Sequence, residues 1–212
     1  MEDGMKKFAL ILVLCLVTGG LASAQPQISG PQQGTLGPGS YVVVGDIQVQ
    51  LGATLTIAPG TTFLHNGNWV WSIYGRLTAV GTAADSIKFT RQQPNETSKW
   101  YGIRFESGAW VGCTLSYCVV EWCRHNSGSS NGAGIYSNGV PVTISHSRIA
   151  NCWNMVDGAG IYINNAAATI SYCLITDNTA SNSTSGGAVT LNGCNGATVS
   201  YNVMTRNVST GT

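Results

Sequence analysis

Few residues in this chain are equipped for chemistry. Arg148, Asp157 and Asp177 carry charge in the C-terminal half, histidines stand at 65, 125 and 146, and seven cysteines run from Cys15 to Cys194. Abstracting a proton beside a uronate carboxylate needs Ca²⁺ held by clustered carboxylates, with an Arg or Lys as base. Inverting hydrolysis of a glycosidic bond needs converging carboxyls, and the TDN at 176–178 supplies one. The cysteines form no CxxC pair, which argues against a zinc centre. Any clustering of the acids must therefore come from the elements that carry them.

Those elements repeat. TLSYCVVEWC (114–123), TISHSRIANC (143–152), TISYCLITDN (169–178) and TVSYNVMTRN (198–207) align without gaps, their starts 29, 26 and 29 residues apart. A second short strand precedes each copy: GIRF (102–105), GIYS (134–137), GIYI (160–163) and AVTL (188–191). Self-similarity at such a period marks a repeat architecture. Side chains alternate along a strand, so Ile103/Phe105, Ile135/Ser137, Ile161/Ile163 and Val189/Leu191 face inward. Arg104/Glu106, Tyr136/Asn138, Tyr162/Asn164 and Thr190/Asn192 face outward. Leu115, Ile144, Ile170 and Val199 form a second apolar column, and Val120, Ile149, Ile175 and Met204 a third.

Three short strands per repeat with turns between them predict one coil of a right-handed parallel β-helix, an all-β solenoid. A single coil cannot satisfy its own backbone; stacked coils can, each strand bonding to its copies about 4.8 Å above and below. Like residues then lie over like. The turn column Cys118, Ser147, Cys173, Asn202 and the repeat-end column Cys123, Cys152, Asn178, Asn207 read as structural. Cys118 and Cys173 fall two coils apart, beyond disulfide reach, whereas Cys123 and Cys152 are neighbours able to close one.

The segments 40–63, 72–82, 86–90 and 100–105 continue the pattern, giving roughly seven coils. Residues 92–98 read as a loop excursion, and Asn95-Glu96-Thr97 matches a glycosylation sequon. The text GATLTIAPGTTF, YGRLTAVGTAADSIKFT and WYGIRFE, with the later GAGIY, TIS and LITDN units, resembles secreted bacterial right-handed parallel β-helix repeat proteins of the pectin-lyase-like superfamily. The resemblance covers Ser40 to the end. It implies the fold but no one activity, because that superfamily holds lyases, glycosidases, esterases, tailspikes and adhesins.

On such a scaffold a Ca²⁺ site would need acids on adjacent coils of one column. Asp157 aligns with Asn131 and Ser185; Asp177 aligns with Trp122, Asn151 and Arg206. Arg148 stands alone among Val119, Leu174 and Val203. His146 shares a column with Tyr117, Tyr172 and Tyr201, which reads as a stacking position rather than a ligand. No catalytic residue and no metal site is assigned, and no cofactor is expected. The better candidate for ligand binding is the outward stripe Arg104, Glu106, Tyr136, Asn138, Tyr162, Asn164 and Asn192, whose rings and amides suit sugar chains.

The chain opens with Lys6-Lys7, an apolar run from Phe8 to Val17 and Ala22-Ser23-Ala24, the pattern of a secretory signal peptide over 1–24 cleaved after Ala24. Residues 25–39 then read as a lead-in or linker and 40–212 as the repeat domain. Ten Lys/Arg against nine Asp/Glu leave no basic face for nucleic acid. No segment beyond the leader is long and apolar enough to span a bilayer. The final NVSTGT follows a repeat without a polar cap, so further coils are expected beyond it. These features predict an exported, non-catalytic β-helix at the cell surface or in the extracellular space, serving as scaffold, adhesin or glycan-binding module. The alternative is a Ca²⁺-dependent lyase or a hydrolase of acidic polysaccharide.

Overall fold

The computed structural model describes residues 24–95, 99–125, 131–181 and 186–211; residues 1–23, with the body of the expected signal peptide, lie outside this set. The described residues are all strand, turn and bend, without a helix, and every strand pairing is parallel. The chain winds as a parallel β-solenoid. Seven strands from Gly34–Leu36 to Thr198–Ser200 stack on one side and bound six complete turns.

Three ladders run the length of the rod. The first, termed the serine sheet, stacks Cys113–Ser116, Val142–Ser145, Ala168–Ser171 and Thr198–Ser200 upon earlier copies. The second, the charged sheet, stacks Ile87–Arg91, Cys118–Glu121, Arg148–Ala150, Leu174–Thr176 and Val203–Thr205. The third, the tyrosine sheet, stacks Ile103–Phe105, Ile135–Asn138, Ile161–Asn164 and Val189–Asn192. The expected registers are those observed: Leu115, Ile144, Ile170 and Val199 superpose, as do Val120, Ile149, Ile175 and Met204.

Two features go beyond three strands per coil. From residue 124 onward each coil adds a two-residue ladder, Arg124–His125, Trp153–Asn154, Thr179–Ala180 and Val208–Ser209. The stretch 25–39, expected as a linker, instead supplies strands Gln27–Pro31 and Gly34–Leu36, which pair with Gly39–Val49 and Thr54–Ile57 and so build the first coil. Its alternation was short and interrupted by Gly and Pro, which hid the strands. Of the expected excursion, residues 92–95 bend away from the ladder and 96–98, within the sequon, lie outside the described residues.

Corners are set by left-handed backbone. Tyr117, His146, Tyr172 and Tyr201 (φ 49–55°) turn the chain from serine sheet to charged sheet, and Trp122, Asn151, Asp177 and Arg206 (φ 53–62°) turn it off the charged sheet. Inside each corner a small polar side chain reaches the next coil. Ser147 Oγ accepts from Cys118 N at 3.0 Å, Asn202 Oδ1 from Cys173 N at 2.8 Å, and Asn178 Oδ1 from Cys152 N at 2.9 Å. The turn and repeat-end columns thus satisfy backbone that no ladder serves. The core between the sheets is apolar, with Phe63, Trp71, Phe89, Trp100 and Phe105 filling the N-terminal coils.

Candidate ligand-binding surface

The expected stripe exists in register but is not an open platform. Tyr136 pairs with Tyr162 and Asn138 with Asn164, which in turn pairs with Asn192. The amides bond to one another: Asn192 Nδ2 donates to Asn164 Oδ1 at 2.8 Å, and Asn164 Nδ2 to Asn138 Oδ1 at 2.9 Å. Tyr162 stacks on Tyr136 at 5.9 Å and is only 5% exposed. The cause lies in the turns leading into these strands. Gly132 and Gly158 sit at positive φ with their backbones against the tyrosines, and a Cβ on Gly158 would meet Tyr162 Cβ at 2.7 Å. A turn crossing the face covers the ring that alternation alone points to solvent.

At the other end of the stripe Arg104 is similarly engaged. Its guanidinium lies 4.0 Å from the Tyr136 ring centroid, donates to the Asn131 carbonyl at 3.2 Å and faces Glu106 at 3.4 Å. Partial burial raises the Tyr136 phenol above its usual pKa, with Arg104 opposing. Tyr101 and His125 pack beside this group at 5.0 Å, and His125 is lowered by burial and then by Arg104.

The open aromatic row lies at the corner between serine and charged sheets. Tyr117, His146, Tyr172 and Tyr201 stack one per coil, with centroids 4.7, 5.1 and 5.0 Å apart and planes within 16°. Tyr172 is 54% and Tyr201 76% exposed. Their column was legible in the sequence; its exposure was not, because a left-handed corner throws the side chain outward, away from either sheet. Since each ring covers its neighbour's face, the row presents hydroxyl and imidazole edges at the coil repeat.

Beside this row the charged sheet carries two acid–base contacts and one cation–π contact. Arg148 bonds Glu121, whose other oxygen accepts from Thr90 Oγ1 at 2.9 Å. Arg206 grips Asp177 through two contacts, at 2.6 and 2.8 Å, and these hydrogen bonds hold the Asp177 carboxyl down at about 2. Arg91 lies flat on Trp122, 3.6 Å from its ring centroid. No group of three His, Cys, Asp or Glu among the described residues could hold a metal ion. Arg148, Glu121 and Asp177 do share one face, but each acid spends its oxygens on a guanidinium or hydroxyl.

The thiols are interior. Cys113, Cys118, Cys123, Cys152 and Cys173 are buried and free, and Cys194 is half-buried. Cys118 and Cys173 are separated by the coil of Ser147, as expected. Cys123 and Cys152 are neighbours across one coil step, their thiols in contact, and burial pushes the Cys123 thiol well up. His65 was missed as part of the core. It occupies the inward set Thr61, Phe63, His65 of TTFLH, and that alternation was the signal for it. Comparison with protein-family models, curated proteins and solved structures finds no match to the chain.

Proposed function

We propose that this protein is an exported scaffold that holds a glycan at the cell surface or in the extracellular matrix without turning it over. The observation that carries the reading is the exposed corner row Tyr117, His146, Tyr172 and Tyr201. A polymer of repeated units can make the same contact on successive coils, so individually weak hydrogen bonds add along the rod. Phenol and imidazole edges suit sugar hydroxyls, being both donors and acceptors. Ser116, Ser145, Ser171 and Ser200 flank the row on one side, and the Arg148–Glu121 and Arg206–Asp177 pairs on the other. The engaged acids favour binding over turnover, because a carboxylate acting as base or Ca²⁺ ligand would first have to give up its guanidinium. Kinship with the pectin-lyase-like superfamily belongs to this reading and rests on the repeat text.

The test is retention of the full chain on immobilised neutral and uronate polysaccharides, with and without Tyr172→Asn and Tyr201→Asn. Asn tolerates the left-handed corner, so the variants keep the backbone. Retention that falls about tenfold in the double variant supports the corner row. Equal retention sinks it. Unsaturated product released from a uronate polymer with Ca²⁺ would replace the binding reading with the lyase one.

A further inference from the structure

The outer face of the serine sheet meets that reading only at its serine edge, and beyond that edge it carries a long in-register row of a single residue type. One threonine per coil lies in a single row: Thr35, Thr56, Thr78, Thr114, Thr143, Thr169 and Thr198, paired Cα to Cα from one end of the rod to the other. Over the last four coils a second row runs parallel, Ser116, Ser145, Ser171 and Ser200. Thr143, Thr169 and Thr198 are exposed. Ser145 Oγ donates to Ser116 Oγ at 3.0 Å, which directs that hydroxyl of the second row along the axis.

A shallow trough of about 240 Å³ runs beside the threonines, lined by Gly112, Pro141, Thr143, Ala167, Thr169 and Gly196. The tyrosine sheet is crossed by glycine turns and the charged sheet carries ion pairs. Over the last four coils the threonine and serine rows of the serine sheet carry neither charge nor ring, whereas nearer the N-terminus Arg76 stands on the same outer face beside Trp110. Its lattice is fixed by strand geometry: roughly 4.8 Å between coils and about 6.7 Å from Thr to Ser along a strand. β-Branching limits each Thr to few χ1 rotamers, so the methyls and hydroxyls hold their positions without a large ordering cost.

A ligand matched to such a face is neutral, flat and periodic on both lengths, and it offers hydroxyl groups rather than charge. A charged polymer would be read by the neighbouring sheet, and a sugar platform would call for aromatic faces. We propose that the serine sheet binds the surface of ice. Its two spacings lie close to the a and c repeats of the hexagonal lattice. Threonine hydroxyls join the water network while the methyl row excludes mobile water from between them. The inference does not rest on the glycan reading: its central contact is the threonine row, and the two surfaces adjoin at the serine column that borders Tyr117, His146, Tyr172 and Tyr201.

The experiment is nanolitre osmometry on the full chain, reading thermal hysteresis and crystal habit. Hysteresis with faceted crystals is expected. Thr169→Tyr, which lifts the centre of the lattice off a flat partner, should reduce it about tenfold; strands accept Tyr readily, so the unfolding midpoint should not move. Thr169→Ser, which removes one methyl and keeps the hydroxyl, should lose a smaller part and covers the case in which the Tyr variant misfolds. Tyr172→Asn, which disturbs only the corner row, should leave hysteresis unchanged. Absence of hysteresis in the parent chain, full activity in both Thr169 variants, or a Thr169-dependent affinity for a crystalline polysaccharide in place of ice would each overturn the proposal.

Discussion

Trp71 Nε1–H donates to His65 Nε2 at 2.9 Å, and His65 Nδ1–H donates to the Thr90 carbonyl at 2.8 Å. Between them the two bonds fix one tautomer of a neutral imidazole, stacked 3.9 Å from Trp100 in the core. A second proton would have to displace the indole N–H from Nε2. Burial accordingly lowers His65 from 6.5 to about 3, with the Thr90 bond opposing.

The sign follows from linkage. Because the folded pKa lies below the unfolded one, the stability His65 confers is complete above about pH 6.5 and drains away as pH falls toward about 3, where the unfolded chain binds a proton that the folded chain refuses. The loss is on the order of 4–5 kcal/mol over that window. Urea midpoints measured from pH 7 to 3 should fall steadily. His65→Phe should flatten this acid limb while lowering the neutral-pH midpoint, since it leaves the Trp71 N–H unpartnered at a cost of about 1–3 kcal/mol.

Asn178 and Asn164 separate what an amide ladder does inside the solenoid from what it does outside. Asn178 is buried, accepts from Cys152 N, and donates to the Ile149 carbonyl and Asn207 Oδ1. Asn178→Ala orphans a buried N–H and a buried carbonyl, and the unfolding free energy should drop by about 2–4 kcal/mol. Asn164→Ala breaks two amide bonds at a partly solvated face, where water replaces them, so the drop should stay under about 1 kcal/mol. Equal losses in paired denaturation curves would mean that the outer ladder is as dry as the inner one.

The contrast also explains how far the sequence could be read. Column positions follow from gapless repeats, so Ile144 over Ile170 and Asn138 over Asn164 needed no coordinates. Exposure does not follow from period. Tyr162 points outward by alternation and is covered by the Gly158 turn, a relation between loop and sheet that no repeat encodes. Tyr172 lies at a corner, where alternation stops applying. The pairs of Arg148 with Glu121 and Arg206 with Asp177 escaped notice because each joins residues in different columns or adjacent copies whose rotamers decide the contact.

Burial of the cysteines gives an order of labelling. Cys194 is half-buried, whereas Cys118 is buried and its thiol pushed up to about 12, chiefly by desolvation. Thiolate is the reacting form, so a native-state pulse of iodoacetamide should label Cys194 first and leave Cys113, Cys118, Cys123, Cys152 and Cys173 to denaturant. Peptide mass mapping after oxidation should find Cys123 joined to Cys152 as the pair that closes. A Cys118–Cys173 bridge would contradict the intervening coil of Ser147.

The Asp177–Arg206 pair offers a test of the charged face that does not depend on any ligand. Asp177 is held at about 2 first by its hydrogen bonds from Arg206, then by the Thr176 hydroxyl. A depressed folded pKa stabilises the fold above about pH 3.8 and stops doing so as pH falls through about 2. The pair is solvent-facing, so salt should weaken it. Carboxyl NMR titration should therefore place Asp177 well below the usual carboxylate range at low ionic strength and move it upward in molar salt. Arg206→Gln should move it upward further, because it removes the charge with the bidentate grip, while the unfolding midpoint at neutral pH barely changes. An Asp177 titration indifferent to Arg206 would show that the contact does not persist in solution, and the face beside the tyrosine row would then present a free carboxylate to whatever binds there.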